Sequence, residues 1–193
     1  PWVLDAKDEG QRKRRVGLLF DLNHMSNNLN SALDKLEKLQ CSNGGFMWFK
    51  GMPDDRYITQ HIVTGFGHLE HISVVNFGTD NRIWNMTSKG IRYLDNEIRK
   101  DYNDLKKYYS KAELEKDHIY EMEIMYLYSR SYFMDKQELP AASKEAFDYY
   151  KGQAKKYWVG KSRYMQGMIA LALFRFGDKE TPVKILASLK ENS

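Results

Sequence analysis

Most of the chain shows the hydrophobic periodicity of amphipathic helices. Leu29, Leu33, Leu36 and Leu39 recur at a spacing of three or four residues, which places them on one helix face. Similar spacing predicts about eight helices, at 8–24, 27–40, 54–71, 87–109, 117–135, 140–158, 161–176 and from 181 onward. No segment shows the strict alternation of apolar and polar residues that is typical of a strand. We therefore predict an all-α protein.

Several polar residues and one glycine indicate where these helices begin and end. Asp54 or Asp55 is the candidate N-cap of the third helix, and Thr87 is the candidate N-cap of the fourth. Gly177 follows the seventh helix and is well placed to end it. The loops between the predicted helices are mostly short, which favours packing of neighbouring helices as antiparallel pairs.

The predicted helices differ in how much of their surface is apolar. Residues 57–71 and 161–176 are apolar or small around most of the helix, whereas 27–40 and 87–109 each have one polar face. A helix that is apolar on nearly all sides is expected to be buried between other helices. Buried helices that alternate with half-exposed ones suggest an inner and an outer layer.

Composition places the chain among globular proteins. Its 193 residues carry a formal net charge of +4, and 42% of them are hydrophobic, which is too apolar for a disordered chain. No run approaches the roughly 18 apolar residues that cross a bilayer. Lys and Glu alternate along the helices, so we predict no nucleic-acid binding despite the basic cluster Arg12–Arg15. The length fits a single helical domain over residues 1–193, and a start at Pro1 leads us to expect a segment of a larger multidomain protein.

The segment after Leu39 combines glycine with aromatic residues. Gly44 and Gly45 permit positive φ angles, so the chain can leave the preceding helix sharply. The aromatic side chains that follow either cover the ends of neighbouring helices or contribute to a binding surface. The candidate interaction residues of this region are Phe46, Trp48, Phe49, Asp54 and Asp55.

A helix that ends in Leu39-Gln40, followed by Gly44-Gly45-Phe46 and further aromatic residues, resembles the repeat junction of α/α-toroid proteins. Terpenoid cyclases, protein prenyltransferase β-subunits and the thioester domains of complement share this junction. The continuation from Tyr57 to Leu69 is similar to the bacterial α-2-macroglobulin family, and so is the opening Pro1-Trp2-Val3-Leu4. The resemblance covers roughly residues 1–190 and implies part of an α/α toroid, built from two layers of helical hairpins.

The resemblance also implies a function. It suggests a non-catalytic domain of a large protein that traps proteases of broad specificity, in the periplasm or cell envelope. Its partners would be neighbouring domains of the parent chain and the trapped protease, and any membrane anchor would lie elsewhere in the parent. Thioester-bearing members join a Cys to a Gln that follows it after a spacer. Here Gln40 precedes Cys41, which is the only cysteine, so this segment cannot carry an internal thioester.

Two alternatives remain open from the residues alone. Asp54 and Asp55, with Trp48 in the same loop, could line the cleft of a glycoside hydrolase or polysaccharide lyase on the same toroid. Adjacent carboxylates rarely stand about 5–10 Å apart, as that chemistry needs, and a helix cap explains them more simply. The second alternative is a plain helical scaffold that binds a peptide partner.

His61, His68 and His71 share one helix face. A zinc site needs at least three converging ligands, and neither the HExxH spacing nor a cysteine partner is present in this helix. Imidazoles at helical spacing more often form hydrogen bonds with neighbouring helices. The sequence therefore predicts no catalytic residue, no metal site and no cofactor.

Overall fold

The computed structural model of the chain describes residues 9–191. Over this range it contains seven α-helices: α1 (Glu9–Leu39), α2 (Arg56–His71), α3 (Asn81–Tyr108), α4 (Glu121–Arg130), α5 (Ala141–Tyr157), α6 (Arg163–Arg175) and α7 (Thr181–Glu191). A single 3-10 turn at Trp158–Gly160 follows α5. The all-α prediction is confirmed. The sequence did not predict the one small exception, a hairpin of β1 (Phe46–Met47) and β2 (Asp54–Asp55), which pair antiparallel.

The prediction of eight helices was wrong at the N-terminal end. The segments 8–24 and 27–40 form the single helix α1. Met25 and Ser26, which lie between the two predicted helices, include neither a proline nor a glycine that would interrupt the backbone hydrogen bonds of a helix.

The predicted start of α3 was also wrong. The helix begins at Asn81 because the carboxylate of Asp80 caps it and accepts the backbone N–H of Ile83 at 3.0 Å. Thr87 lies one and a half turns further on, fully buried, and its hydroxyl donates to the carbonyl of Ile83 at 2.7 Å. A threonine inside a helix can satisfy its hydroxyl in this way without marking the helix start.

Helix α4 is shorter than the predicted range 117–135 because side chains hold both flanking segments in other conformations. Before the helix, the Lys161 ammonium donates to the carbonyl of Ile119 at 2.6 Å. After it, the Arg130 guanidinium donates to the carbonyls of Phe133 at 3.1 Å and Gln137 at 2.7 Å, which stabilises a turn. Lys161 and Ile119 are 42 residues apart, and Gln137 is seven residues beyond Arg130, so helical periodicity does not reveal these contacts.

Two predicted helix ends are confirmed. Asp55 caps α2, and its carboxylate accepts the backbone N–H of Ile58 at 2.9 Å. Gly177 ends α6 in the left-handed region, with φ of 86°. Its N–H donates to the carbonyl of Phe174, and the next N–H, of Asp178, donates to the carbonyl of Leu173. This pair of bonds is the Schellman pattern that glycine favours at a helix C-terminus.

The chain divides into two compact units, with the boundary between Leu39 and Gln40. The first unit contains α1. Its exposed large apolar side chains are Val16, Leu18, Leu19, Phe20, Leu22, Met25 and Leu29. The second unit contains the β-hairpin and helices α2 to α7, and the candidate site described below lies entirely within it.

Within the second unit the helices pack in two rows. Helix α4 packs against both α2 and α6, while α3 packs against α2 and α5, and α7 packs against α6. The row α2–α4–α6 therefore lies beside the row α3–α5. The buried apolar side chains of the second unit include Val63, Ile91, Ile98, Ile124, Leu127, Phe133, Phe147, Ile169 and Leu173.

The expectation that 57–71 and 161–176 are buried on nearly all sides was wrong. Leu69 of α2 and Leu171 and Phe174 of α6 are exposed. Because α2 and α6 flank α4 in the same row, each has apolar residues on a side that α4 does not cover. One apolar face in this row is thus left at the surface of the second unit.

A buried ion pair links the two rows. The Nε of Arg130 in α4 donates to the Oδ1 of Asp95 in α3 at 3.1 Å, and the two side chains are 1% and 0% exposed. The Tyr126 hydroxyl donates to the same oxygen at 2.7 Å. Burial raises the pKa of Asp95, and the Arg130 charge and the Tyr126 hydrogen bond oppose that rise. The pair fixes α4 against α3 through a polar contact inside an apolar core.

Candidate interaction site

The turn before the β-hairpin is anchored to α3. The side-chain amide of Gln40 donates to the carbonyl of Gly44 at 3.0 Å and to the carbonyl of Met86 at 2.8 Å. Gly44 has a φ of 95°, and a Cβ placed there would lie 2.7 Å from the carbonyl carbon of Lys89 and closer still to its oxygen. Only glycine therefore fits this close approach of the turn to α3.

Phe46 belongs to the core, which corrects its place among the candidate surface residues. Its side chain is fully buried, and its backbone N–H donates to the hydroxyl of Thr59 in α2 at 2.8 Å. The hydroxyl of Thr59 in turn donates to the carbonyl of Asp55 at 2.7 Å. Phe46 thus joins the hairpin to α2 and offers no surface to a partner.

The tip of the hairpin is exposed and apolar. Trp48 and Phe49 have 48% and 69% of their surfaces exposed, and Met52 beside them is also exposed. Gly51, with φ of 92°, allows the chain to turn back toward β2. We call Trp48, Phe49 and Met52 the aromatic tip. Large exposed apolar side chains grouped in this way are typical of protein contact surfaces.

Asp54 and Asp55 both have structural hydrogen bonds. Asp54 accepts the side-chain amide of Asn43 at 3.1 Å, and a hydrogen bond from Tyr93 is the main cause that lowers the pKa of Asp54. Asp55 caps α2. Successive side chains of a strand point to opposite faces, so these two carboxylates do not face each other as the acid and base of a glycosidase do.

The structure brings His68 of α2 together with two tyrosines of the segment that contains α4. Its Nε2 lies 3.0 Å from the hydroxyl of Tyr128 and 2.9 Å from that of Tyr132, and the two hydroxyls lie 2.9 Å apart. The guanidinium of Arg175 in α6 lies over the Tyr132 ring, 3.8 Å from its centroid. Arg175 also donates to the Ser131 hydroxyl at 3.1 Å. We call His68, Tyr128, Tyr132 and Arg175 the His–Tyr–Arg cluster.

The surroundings shift the pKa values of His68 and Tyr128 in opposite directions. Burial lowers the pKa of His68, and the nearby charges of Arg175 and His71 lower it further. Burial, together with the hydrogen bond to Tyr132, raises the pKa of Tyr128 to about 12. Tyr128 is therefore protonated and His68 uncharged near pH 7, so that a ring nitrogen of His68 is able to accept a hydrogen bond from a tyrosine hydroxyl.

The substitution Arg175→Gln is expected to raise the pKa of His68 toward the ordinary histidine value of about 6.5. The change removes a positive charge that disfavours the imidazolium, while burial, the larger cause, still holds the pKa below that value. An NMR titration of the His68 ring protons measures the shift. Arg92→Gln, at an exposed position of α3, is the matched control. A His68 pKa that is the same in both variants would contradict this account.

A groove of about 630 Å³ lies beside the cluster, between α2 and α6. Helix α2 contributes His61, Gly65 and His68, α4 contributes Tyr128, and α6 contributes Arg163, Tyr164, Gly167, Met168 and Leu171. We call it the α2–α6 groove. The sequence did not predict it, because its two walls are about 100 residues apart in the chain.

The remaining candidate residues do not converge on a metal. In the described range, no group of three or more His, Cys, Asp or Glu side chains is placed to hold a metal ion. His61 packs against the ring of Tyr57, with centroids 4.4 Å apart. Cys41 is a partly exposed free thiol in the turn.

None of the helices between residues 9 and 191 has the length and apolar character that a membrane span requires.

Comparisons with protein-family models, curated proteins and solved structures found no match to this chain.

Proposed function

We propose that this chain is a non-catalytic interaction domain with α/α-toroid architecture, belonging to a protease-trapping protein of the bacterial α-2-macroglobulin type in the periplasm or cell envelope. The observation that carries the proposal is the junction at Gln40–Phe46. The residues that resemble the toroid repeat are the ones that hold the turn to α3 and the hairpin to α2. The two rows of helices, α2–α4–α6 beside α3–α5, are consistent with part of such a toroid.

In this proposal the domain acts by packing against neighbouring domains of its parent protein. The aromatic tip is the candidate contact, because its side chains are exposed while the base of the hairpin is fixed by Phe46. An anchor held on a rigid element loses little conformational entropy on binding, and Trp is among the residue types that contribute most to interfaces.

The full-length parent protein is expected to block cleavage of a large protein substrate by an endopeptidase while cleavage of a short peptide continues. A trapped protease keeps its active site but is screened from large substrates. We expect the double variant Trp48→Ala/Phe49→Ala to reduce this protection about tenfold, which corresponds to roughly 1.4 kcal/mol of lost contact energy. The assay compares the two cleavage rates at increasing ratios of parent protein to protease.

Tyr108→Ala is the matched control for that experiment, since Tyr108 is an exposed aromatic residue on α3 away from the hairpin. It should leave protection unchanged. If the parent protein in excess leaves cleavage of both substrates unaffected, the proposed function is wrong. Equal loss of protection in the tip and control variants would exclude the aromatic tip as the contact.

The enzyme alternative has its own test, which uses Asp55→Asn. Asn caps helices about as well as Asp does, so this variant should keep α2 and its fold. We expect the wild-type chain to release no reducing sugar from a panel of oligosaccharides. Turnover by the wild type that disappears in Asp55→Asn would replace the proposed function with that of a glycoside hydrolase or lyase.

A further inference from the structure

We propose that the α2–α6 groove binds a polypeptide segment of a partner that carries both acidic and large apolar side chains. The inference rests on the proposed function in treating the chain as an interaction domain, and it adds a second surface and the chemistry of its partner. The groove is separate from the aromatic tip, which lies in the β-hairpin rather than on α6 or the exposed side of α2.

The charge of the groove favours an acidic partner. Arg163 lines it, and none of its lining residues is acidic. Arg175 lies next to it in the His–Tyr–Arg cluster. The carboxylate of Glu70 on α2 forms an ion pair with Lys136 at 3.0 Å, outside the groove lining. A carboxylate seated between α2 and α6 would therefore meet hydrogen-bond donors and positive charge.

The apolar part of the groove excludes a partner that is only charged. Met168 and Leu171 line it, and Leu171, Phe174 and Tyr164 form an exposed apolar surface along α6. An apolar surface of this kind next to polar residues is typical of a protein-binding site. Tyr, Met and Arg are the residue types enriched at protein interfaces, which favours a polypeptide over a nucleic acid or a small anion.

Two glycines in the groove leave room for close approach by a partner. Gly65 of α2 and Gly167 of α6 lie inside helices, where glycine costs about 0.5–1 kcal/mol relative to alanine. A Cβ at either position would have no atom within 4 Å, so packing within the chain does not require glycine there. By contrast, a Cβ on Gly67 would lie 2.8 Å from the ring of Tyr132. Without side chains at Gly65 and Gly167, a partner backbone is able to approach α2 and α6 closely.

The test selects binders from a library of random 12-residue peptides displayed on phage, with the 193-residue chain as target. We expect the selected peptides to be enriched in Asp or Glu together with Leu, Phe or Trp. A synthetic copy of the best peptide should lose affinity about tenfold when its acidic residues are changed to the corresponding amides. Fluorescence anisotropy measures both dissociation constants.

Gly167→Leu places a bulky side chain inside the groove, at a position where an added Cβ has no atom of the chain within 4 Å. Leucine is a better helix former than glycine, so this variant should unfold at the same temperature as the wild type or higher. We expect it to bind the selected peptide at least about tenfold more weakly. Gly152→Leu is the matched control, because a Cβ at that position of α5 also enters open space but lies outside the groove.

Selection without acidic enrichment, or equal binding by Gly167→Leu and Gly152→Leu, would overturn the proposal. A library that yields no binder would overturn it as well. These outcomes are independent of the protease assay, which is sensitive to the aromatic tip. Peptide binding with no protease protection would refute the proposed function alone, and protection without peptide binding would refute only this inference.

Discussion

Replacing Arg130 with methionine is expected to lower the free energy of unfolding by about 3–5 kcal/mol. The substitution leaves the Asp95 carboxylate fully buried without its charged partner, and it also removes the hydrogen bonds to the carbonyls of Phe133 and Gln137. Urea denaturation followed by circular dichroism measures the change.

Burial already raises the pKa of Asp95, and without Arg130 this pKa should rise further. The folded variant then binds a proton more tightly than the unfolded chain, so its stability should fall as the pH rises above the unfolded-state Asp pKa of about 3.9.

Arg92→Met provides the control for a general effect of losing an arginine, since Arg92 is exposed on α3. Its effect should lie within about 0.5 kcal/mol. The double variant Arg130→Met/Asp95→Leu should regain part of the loss, because no unpaired charge stays buried. If Arg130→Met were no more destabilising than Arg92→Met, the buried pair would not hold α4 against α3 as described.

Gly44→Ala is expected to destabilise the second unit by about 2–5 kcal/mol. Part of the loss comes from the left-handed conformation at φ of 95°, which disfavours any residue with a Cβ. The remainder comes from overlap with the carbonyl of Lys89, which belongs to the backbone of α3 and cannot rotate away like a side chain. Thermal unfolding and urea denaturation should both show the loss.

Gly51→Ala separates these two causes. Gly51 also has a positive φ, of 92°, but a Cβ there would have no atom within 4 Å. Gly51→Ala should therefore lower the free energy of unfolding only through the left-handed conformation, by about 1–2 kcal/mol. Equal losses in the two variants would mean that the close approach to Lys89 contributes nothing to stability.

The sequence predicted the features that depend on neighbouring residues. The cap at Asp55 and the stop at Gly177 each involve groups within a few residues, so the local pattern carried enough information. The predicted start of α3 was wrong because Thr87 and Asp80 are both residue types that favour the N-cap position. Only packing decides which of the two caps the helix. The end of α4 depends on the Arg130 guanidinium, whose contacts periodicity does not encode.

The candidate site was only partly predictable. The sequence placed His68 on a helix face suited to hydrogen bonds with neighbouring helices, and the structure shows such bonds to Tyr128 and Tyr132. These partners are 60 and 64 residues away, so no local pattern could assign them. The glycines Gly65 and Gly167 were visible as small residues, but only the packing of helices shows that they open on one groove.

The β-hairpin separates residues that hold the fold from residues that are exposed at its tip. Gly44 and Phe46 secure its base, while the aromatic tip is exposed. Substitutions in the tip should therefore be nearly neutral for folding, and related chains are free to diverge there while the base is retained. Trp48, Phe49 and Met52 can therefore be exchanged, in evolution or by design, without a compensating change elsewhere in the molecule.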